Sequence, residues 1–287
     1  MLRCPRCGGA LEAARFLVRC HACGPYPLLG DVPVLVTDPF GYCAKYRDSI
    51  LAAMAEHGVA DREAVAAVEA FAGDERGTRE SFGDDWTKYE ATGDDAPAPV
   101  KGPGAPPLTK LMQVARADGP AQWLDGKIRK ATLALEIGCG AGARSEVLAA
   151  RVERLLVSDL SLRAVFRARA RASRQSAEVM GVVLDAEVLP LKRRCLDLLC
   201  AEHVVDLLDE PAAFLEQARG ALAKGGRLLV TTPDPSLGAG FDDTLERLAT
   251  EAKFTVVERR DGLPWLRVNS SRFVEVYLVQ ALELKAG

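Results

Sequence analysis

The chain has 287 residues, of which 48% are hydrophobic and 27% charged, an ordinary soluble profile long enough for one to two domains. A net charge of −3 leaves no global basic field to recruit nucleic acid, so a nucleic-acid partner is not expected. No apolar run approaches a membrane span, and Met1-Leu-Arg-Cys-Pro-Arg6 lacks the apolar core of a signal peptide, so the expectation is a cytoplasmic protein with reduced thiols and no membrane contact.

The chain opens with two knuckles, Cys4-Pro-Arg-Cys7-Gly and Cys20-His-Ala-Cys23-Gly, separated by twelve residues. Each C-x-x-C turn aims two thiolates at one point, and a short hairpin between the pairs brings all four together. Four thiolates complete a tetrahedral shell around Zn²⁺ and leave no open position, so Cys4, Cys7, Cys20 and Cys23 read as a structural zinc site. The alternative is a metal-free or disulfide-bonded ribbon, and His21 is a competing ligand. Val32, Val34 and Val36 alternate as a strand, while Pro25, Pro27 and Pro33 exclude helix.

With Pro25-Tyr-Pro-Leu-Leu-Gly-Asp-Val-Pro-Val-Leu-Val36 added, residues 1 to about 38 resemble the small zinc-ribbon domain of activator subunits of tRNA and protein methyltransferases. The same domain occurs fused in front of bacterial methyltransferases. Arg3, Arg6, Arg15 and Arg19 against Glu12 look basic, but four thiolates with one Zn²⁺ add about −2 and nearly cancel them. The ribbon therefore reads as a packing or docking module, with a protein partner as one role for it. Cys43 has no partner at ligand spacing and reads as a small packing residue.

Residues 40–72 carry an interrupted apolar face that predicts helix, broken at His57-Gly58. Ser81-Phe-Gly-Asp-Asp-Trp-Thr-Lys-Tyr89 follows. Its F-G-x-x-W-x-x-Y pattern is similar to a segment of ribbon-fused methyltransferases that helps cover the cofactor cleft, which implies such a role for Trp86. Phe82, Trp86 and Tyr89 also fall at helical spacing and equally suit a packing face. Asp94 to Pro107, with five prolines and two glycines in fourteen residues, is a linker or mobile loop. Leu108 to Trp123 again reads as helix. The expected organisation is a ribbon over 1–38, a helical lead-in, lid and Pro/Gly linker over 39–128, and a core domain over 129–287.

In the core, strands are expected near 133–137, 154–158, 180–184, 196–201, 227–232, 254–259 and 273–282, and helices near 142–151, 161–177, 211–223 and 241–252. Alternation of this kind predicts an α/β, doubly wound, Rossmann-like sheet. The stretch Leu133-Ala-Leu-Glu-Ile-Gly-Cys-Gly-Ala-Gly-Ala-Arg144 ends a buried strand in a glycine turn, where a ligand can approach backbone. Read as G-x-G-x-x-A (138, 140, 143), it suits a dinucleotide pyrophosphate. Read as E-x-G-x-G-x-G (136 to 142), it resembles motif I of class I S-adenosylmethionine-dependent methyltransferases. Asp159 ends the next apolar run and suits ribose hydroxyls in either fold. Asp185, in Asp-Ala-Glu-Val-Leu-Pro190, is similar to the methyltransferase motif whose acid meets the adenine amino group. The two closing strands lack a helix between them, which predicts the antiparallel last strand of the seven-stranded methyltransferase sheet.

The resemblance implies cofactor contacts from Glu136, Gly138, Cys139, Gly140, Gly142, Asp159, Leu160, Asp185, Ala186 and Glu202, with Trp86 as cover. Glu136 would lie near the amino end of the bound cofactor. Cys139 fits the turn by its small size and is not read as a nucleophile. Ligands of such sheets bind outside the carboxyl ends of the strands, which places Glu202-His203 on the methyl-donor side and Thr231 to Pro235 towards the acceptor. His203 is the nearest catalytic base; its alternative is a helix-start residue packing against the cofactor. Arg163, Arg167, Arg171 and Arg174 form one stripe, either an RNA phosphate contact or a solvated face, the second being expected. Cys195 and Cys200 read as core. Lys224-Gly-Gly-Arg227 resembles the turn into the fifth strand. The leading expectation is S-adenosylmethionine-dependent methyl transfer to a small-molecule acceptor. The alternatives are an RNA or protein methyltransferase docked through the ribbon, a non-catalytic cofactor- or partner-binding protein, and an oxidoreductase.

Overall fold

Short strands separated by glycine and proline turns build the N-terminal unit. Strands β1 (Glu12–Ala14), β2 (Leu17–Cys20) and β3 (Gly24–Leu29) pair antiparallel, and β4 (Val32–Leu35) folds back on β3. The two-residue connection, Gly30-Asp31, has positive φ at both positions (54° and 65°), the backbone of a type I′ hairpin turn. In this computed structural model the described residues are 1–73, 112–113, 115, 117–237, 244–268 and 273–287. The F-G-x-x-W-x-x-Y segment with Trp86, and the Pro/Gly-rich stretch 94–107, lie outside them.

Helix α1 (Pro39–Glu56) starts with proline in its first turn and an Asp38 carboxylate accepting the Gly41 N–H at 3.1 Å. Helix α2 (Arg62–Ala72) is capped the same way, by Asp61 from Ala64 N–H at 2.8 Å. The break between them is where His57-Gly58 predicts it. The expected helix over 108–123 is interrupted: Gly119 is extended (φ −88°, ψ 175°), and α3 (Pro120–Lys127) begins after it with proline at its start.

Strands β5 (Ala131–Ile137), β6 (Val152–Asp159), β7 (Glu178–Leu184), β8 (Leu196–Glu202) and β9 (Leu222–Thr232) are parallel. Helices α4 (Ala143–Ala149), α5 (Leu162–Ala172) and α6 (Pro211–Ala221) follow β5, β6 and β8, while β7 runs to β8 through a loop. Helix α7 (Thr244–Glu251) leads into β10 (Phe254–Val268), and β11 (Val274–Ala286) inserts antiparallel between β9 and β10. The sheet order is β1-β2-β3-β4-β7-β6-β5-β8-β9-β11-β10. The last seven positions of that order form the doubly wound sheet with an antiparallel last strand that the sequence predicts. The ribbon adds its own four strands to the edge, because β4 pairs parallel with β7 through Val34–Val183 and Leu35–Leu184.

Both faces of the sheet are covered, so successive strand residues enter two different cores. Ala134, Leu155, Val157, Val183 and Leu229 pack with α1 to α5. Leu135, Ile137, Leu156, Val182 and Val230 pack with α6, α7 and the ribbon's Cys4, Val18 and Tyr26. Cys43 and Cys200 are core residues as expected, and Cys195 is partly buried against the other core. Among the described residues no helix is long and apolar enough to cross a membrane.

The arginine stripe needs correction. Helix α5 stops at Ala172, short of the expected residue 177, and most of its arginines are not a solvated face. Arg163 and Arg167 reach Glu56 at the end of α1 (3.2 and 3.6 Å), and Arg171 reaches Glu146 on α4 (2.9 Å). Arg163 is 8% exposed, and Arg174 alone of the four is exposed. Opposite charges on two packed helices draw these side chains inward, where their long apolar stems add to the contact.

Candidate active site and zinc site

At the end of β5 the chain turns through Gly138, Gly140 and Gly142, with φ of 67°, 48° and 83°. A β-carbon at Gly138 would lie 2.4 Å from the Val204 side chain, and one at Gly142 would lie 2.6 Å from the Ala168 backbone. The glycines thus let the turn sit against both neighbouring segments. Cys139 is 5% exposed and donates its N–H to the Ser158 carbonyl at 2.9 Å. Burial raises its thiol well above the usual range, in keeping with a packing residue rather than a nucleophile.

Asp159, at the end of β6, faces this turn. One carboxylate oxygen accepts the Gly140 N–H (3.1 Å), the other the Ser161 N–H (2.9 Å). Burial pushes its pKa up, against those backbone donors. The next residue, Leu160, gives its carbonyl to the buried Tyr42 hydroxyl at 2.7 Å, so α1 reaches the same loop. Asp185 follows β7 directly and accepts the Glu187 N–H at 3.0 Å, a local turn that includes half-buried Ala186.

Glu136 is 3% exposed and accepts a hydrogen bond from the Ser145 hydroxyl on α4. Burial raises its pKa to about 8. Beside it, the Arg144 guanidinium is nearly enclosed; it binds Asp125 of α3 and, at 3.2 Å, Glu202 at the end of β8.

His203 follows Glu202 with φ of 54°, strained for a residue with a β-carbon. Its backbone N–H donates to the Thr231 carbonyl at 2.9 Å, and its ring lies 4.4 Å from that of Trp265. It is not a helix-start residue: the one-turn 3₁₀ helix begins at Val205. Burial lowers its pKa, against Glu202 and Asp206, which favours neutral imidazole. Its Nε2 and the Thr231 Oγ1 are buried without a hydrogen bond among the described residues. Thr232 is engaged, donating to Asp206 at 2.9 Å.

The structure therefore gathers Glu136, the glycine turn, Asp159, Leu160, Asp185, Ala186, Glu202 and His203 at the carboxyl ends of four parallel strands, β5 to β8. Trp86 lies outside the described residues. Sequence reasoning placed Thr231 towards the acceptor but missed Arg144, Asp125, Trp265 and its neighbour Tyr277. Arg144 stands inside the glycine-turn stretch, but nothing in sequence joins positions 125, 144 and 202.

In the ribbon, the sulfurs of Cys4, Cys7, Cys20 and Cys23 all lie within 4.8 Å of one another. Zn–S bonds of about 2.3 Å require sulfurs roughly 3.8 Å apart, so the set fits a tetrahedral ion. All eight cysteines are free thiols, against the disulfide-bonded alternative. Burial works to raise the Cys4 thiol, but the Tyr26 hydroxyl at 3.2 Å and the Cys7 and Arg6 backbone donors outweigh it and bring it to about 6. His21 turns away to Glu12 at 2.9 Å, so it does not compete as a ligand.

Residues 135–230, from β5 to β9, match a family model described as a methyltransferase domain. That stretch of the chain is a methyltransferase domain. It holds every site residue from Glu136 to His203. A curated relative, the uncharacterized 37.1 kDa protein in transposon TN4556 of Streptomyces fradiae, is 35% identical over 104 residues, covering 35% of this chain and 30% of the relative. The ubiquinone biosynthesis O-methyltransferase of Parvibaculum lavamentivorans is 28% identical over 105 residues, covering 37% of this chain and 42% of the relative. The chain thus spans less than half the length of these curated relatives.

Among solved structures, the N-methyltransferase NodS of Bradyrhizobium japonicum in complex with S-adenosyl-L-homocysteine aligns at TM-score 0.46 and 22% identity, over 71% of this chain and 97% of that one. An S-adenosylmethionine-dependent methyltransferase of Mesorhizobium loti aligns at TM-score 0.46 and 15% identity, over 61% and 99%.

Proposed function

We propose that the chain transfers a methyl group from S-adenosylmethionine to a small-molecule acceptor. The observation that carries this is the convergence, inside a methyltransferase domain, of the positive-φ glycine turn with Asp159, Asp185 and Glu202-His203 at the ends of consecutive parallel strands. In this reading Asp159 receives the ribose hydroxyls, Asp185 the adenine amino group, and Gly138 to Gly142 give the donor close access to backbone. Glu136 and the Arg144–Glu202 pair hold the turn against α4 and β8.

The donor supplies a methyl group already activated on a sulfonium, so the protein must align an acceptor atom and exclude water. Neutral His203 takes the acceptor proton as its lone pair attacks. The net charge of −3 and the relative named as an O-methyltransferase support a small acceptor over a nucleic acid. The four cysteines hold a structural Zn²⁺, and the protein works in the cytoplasm, where those thiols stay reduced.

Calorimetric titration of the full chain with S-adenosylhomocysteine, with NAD as control, tests the reading. Micromolar binding of the first and none of the second is expected. NAD binding in its place, or binding of neither, overturns it.

A further inference from the structure

The final hairpin outgrows the sheet. β11 pairs with β9 from Gln280 to Lys285, and Gln280 already stands opposite Thr232, the last residue of β9. Val274 to Val279 and their β10 partners, from Leu263 to Val268, therefore continue past the carboxyl edge of the sheet. Six residues extend the arm about 20 Å on the side where Asp159, Asp185 and His203 lie.

The arm has a defined inner face. Glu202, Thr231 and Ala281 are in register across β8, β9 and β11. Stepping two residues along β11 from Ala281 gives Val279, opposite Leu263, and then Tyr277, opposite Trp265. The Trp265 and Tyr277 rings are 5.0 Å apart, and the His203 ring packs on Trp265. Leu263, Val279 and Ala281 are buried beneath, with Trp123 of α3 packed against them. Neither Trp265 nor Tyr277 is fully buried, so both keep ring surface for a ligand.

At the foot of this wall stand His203 Nε2 and Thr231 Oγ1, two buried polar atoms with no hydrogen bond among the described residues. Leaving such atoms without partners is costly, and backbone strain like that of His203 concentrates where a ligand completes the site. We infer that Trp265 and Tyr277 form the wall of the acceptor site and select a flat aromatic ring, whose hydroxyl meets His203 Nε2 and Thr231 Oγ1. The inference rests on the methyl-transfer reading. In the step itself a bond forms from the acceptor oxygen to the methyl carbon. The carbon–sulfur bond breaks with its electron pair going to sulfur, and the hydroxyl proton passes to Nε2. Neutral imidazole suits that proton transfer, and the aromatic wall suits a ring better than an alkyl chain.

The test measures S-adenosylhomocysteine release by the full chain with phenol, catechol and naphthol, against cyclohexanol and benzylamine. Wild type, Trp265→Ala and Trp265→Phe are compared, with S-adenosylhomocysteine affinity as the check that each variant is folded. Turnover of the aromatic hydroxyls is expected, with little or none of cyclohexanol or benzylamine. Trp265→Ala should raise KM for the aromatic acceptor about threefold to tenfold at unchanged S-adenosylhomocysteine affinity, and Trp265→Phe should recover most of it. Equal turnover of cyclohexanol, preference for benzylamine, unchanged KM in Trp265→Ala, or no turnover of aromatic hydroxyls by a chain that binds S-adenosylhomocysteine overturns the inference. Failure to bind S-adenosylhomocysteine overturns the methyl-transfer reading and this inference with it.

Discussion

Leu35 of the ribbon pairs with Leu184, the residue immediately before Asp185. The far end of the same loop is also held by the ribbon: Arg3 donates its N–H to the Pro190 carbonyl at 2.7 Å, and Lys192 donates to the Met1 carbonyl at 2.9 Å. The segment that carries the proposed adenine acid is thus fastened at both ends by residues flanking the four cysteines. Cys20→Ser, or removal of the metal by a chelator, should destabilise the whole chain by more than about 4 kcal/mol and weaken S-adenosylhomocysteine binding. Scanning calorimetry should show one shifted transition. A separate early transition for the ribbon, with the main one in place, would contradict this coupling.

Asp159→Ala removes the acceptor for both the Gly140 and Ser161 N–H groups as well as the proposed ribose contact. Affinity for S-adenosylhomocysteine should fall by about tenfold or more, the loss expected for hydrogen bonds to a charged group. The far-ultraviolet circular dichroism should stay that of wild type. Unchanged affinity would remove Asp159 from the ribose site.

Glu136 gives a pH signature. Burial raises its pKa from 4.5 to about 8 in the folded chain. The folded state then holds a proton that the unfolded state has released, so stability falls as pH rises between these values. The contribution is fully present below about pH 4.5 and is gone above about pH 8, and its size is on the order of a few kcal/mol. Glu136→Gln keeps an acceptor for the Ser145 hydroxyl without the titration. Urea midpoints at pH 5 and pH 8 should therefore converge in the variant relative to wild type; an identical pH dependence in both would sink the assignment.

Glu56 receives both Arg163 and Arg167 at the contact between α1 and α5. Its side chain is 42% exposed, so water screens part of the pairing. Glu56→Ala should still cost about 1–2 kcal/mol, because the Arg163 charge stays enclosed. A change in urea unfolding free energy below about 0.5 kcal/mol would show that the clamp is dispensable.

Local chemistry made much of this protein legible. The glycines at 138, 140 and 142 have the positive φ that no other residue adopts cheaply, so the turn is written where it occurs. Alternating apolar runs ended in Asp159, Asp185 and Glu202, and the parallel sheet carried those ends to one edge. Two C-x-x-C knuckles on a hairpin brought four sulfurs together without help from distant residues.

Other features arise from pairings across long stretches of chain. The stripe has the periodicity of a solvated face; Arg163, Arg167 and Arg171 are drawn inward because Glu56 and Glu146 arrive on neighbouring helices. Arg144 gains its role from Asp125 and Glu202, which approach from different elements. His203 meets Trp265 because the hairpin is long enough to reach past β9.

The sequence by itself determined the elements, the glycine turn, the carboxylates that follow the strands and the sulfur cluster, since each depends on backbone preference or spacing within a short segment. Tertiary structure decided which charges are enclosed, which loop the ribbon fastens and which rings stand over His203. Those outcomes depend on register and on which faces pack together, and no local preference encodes either.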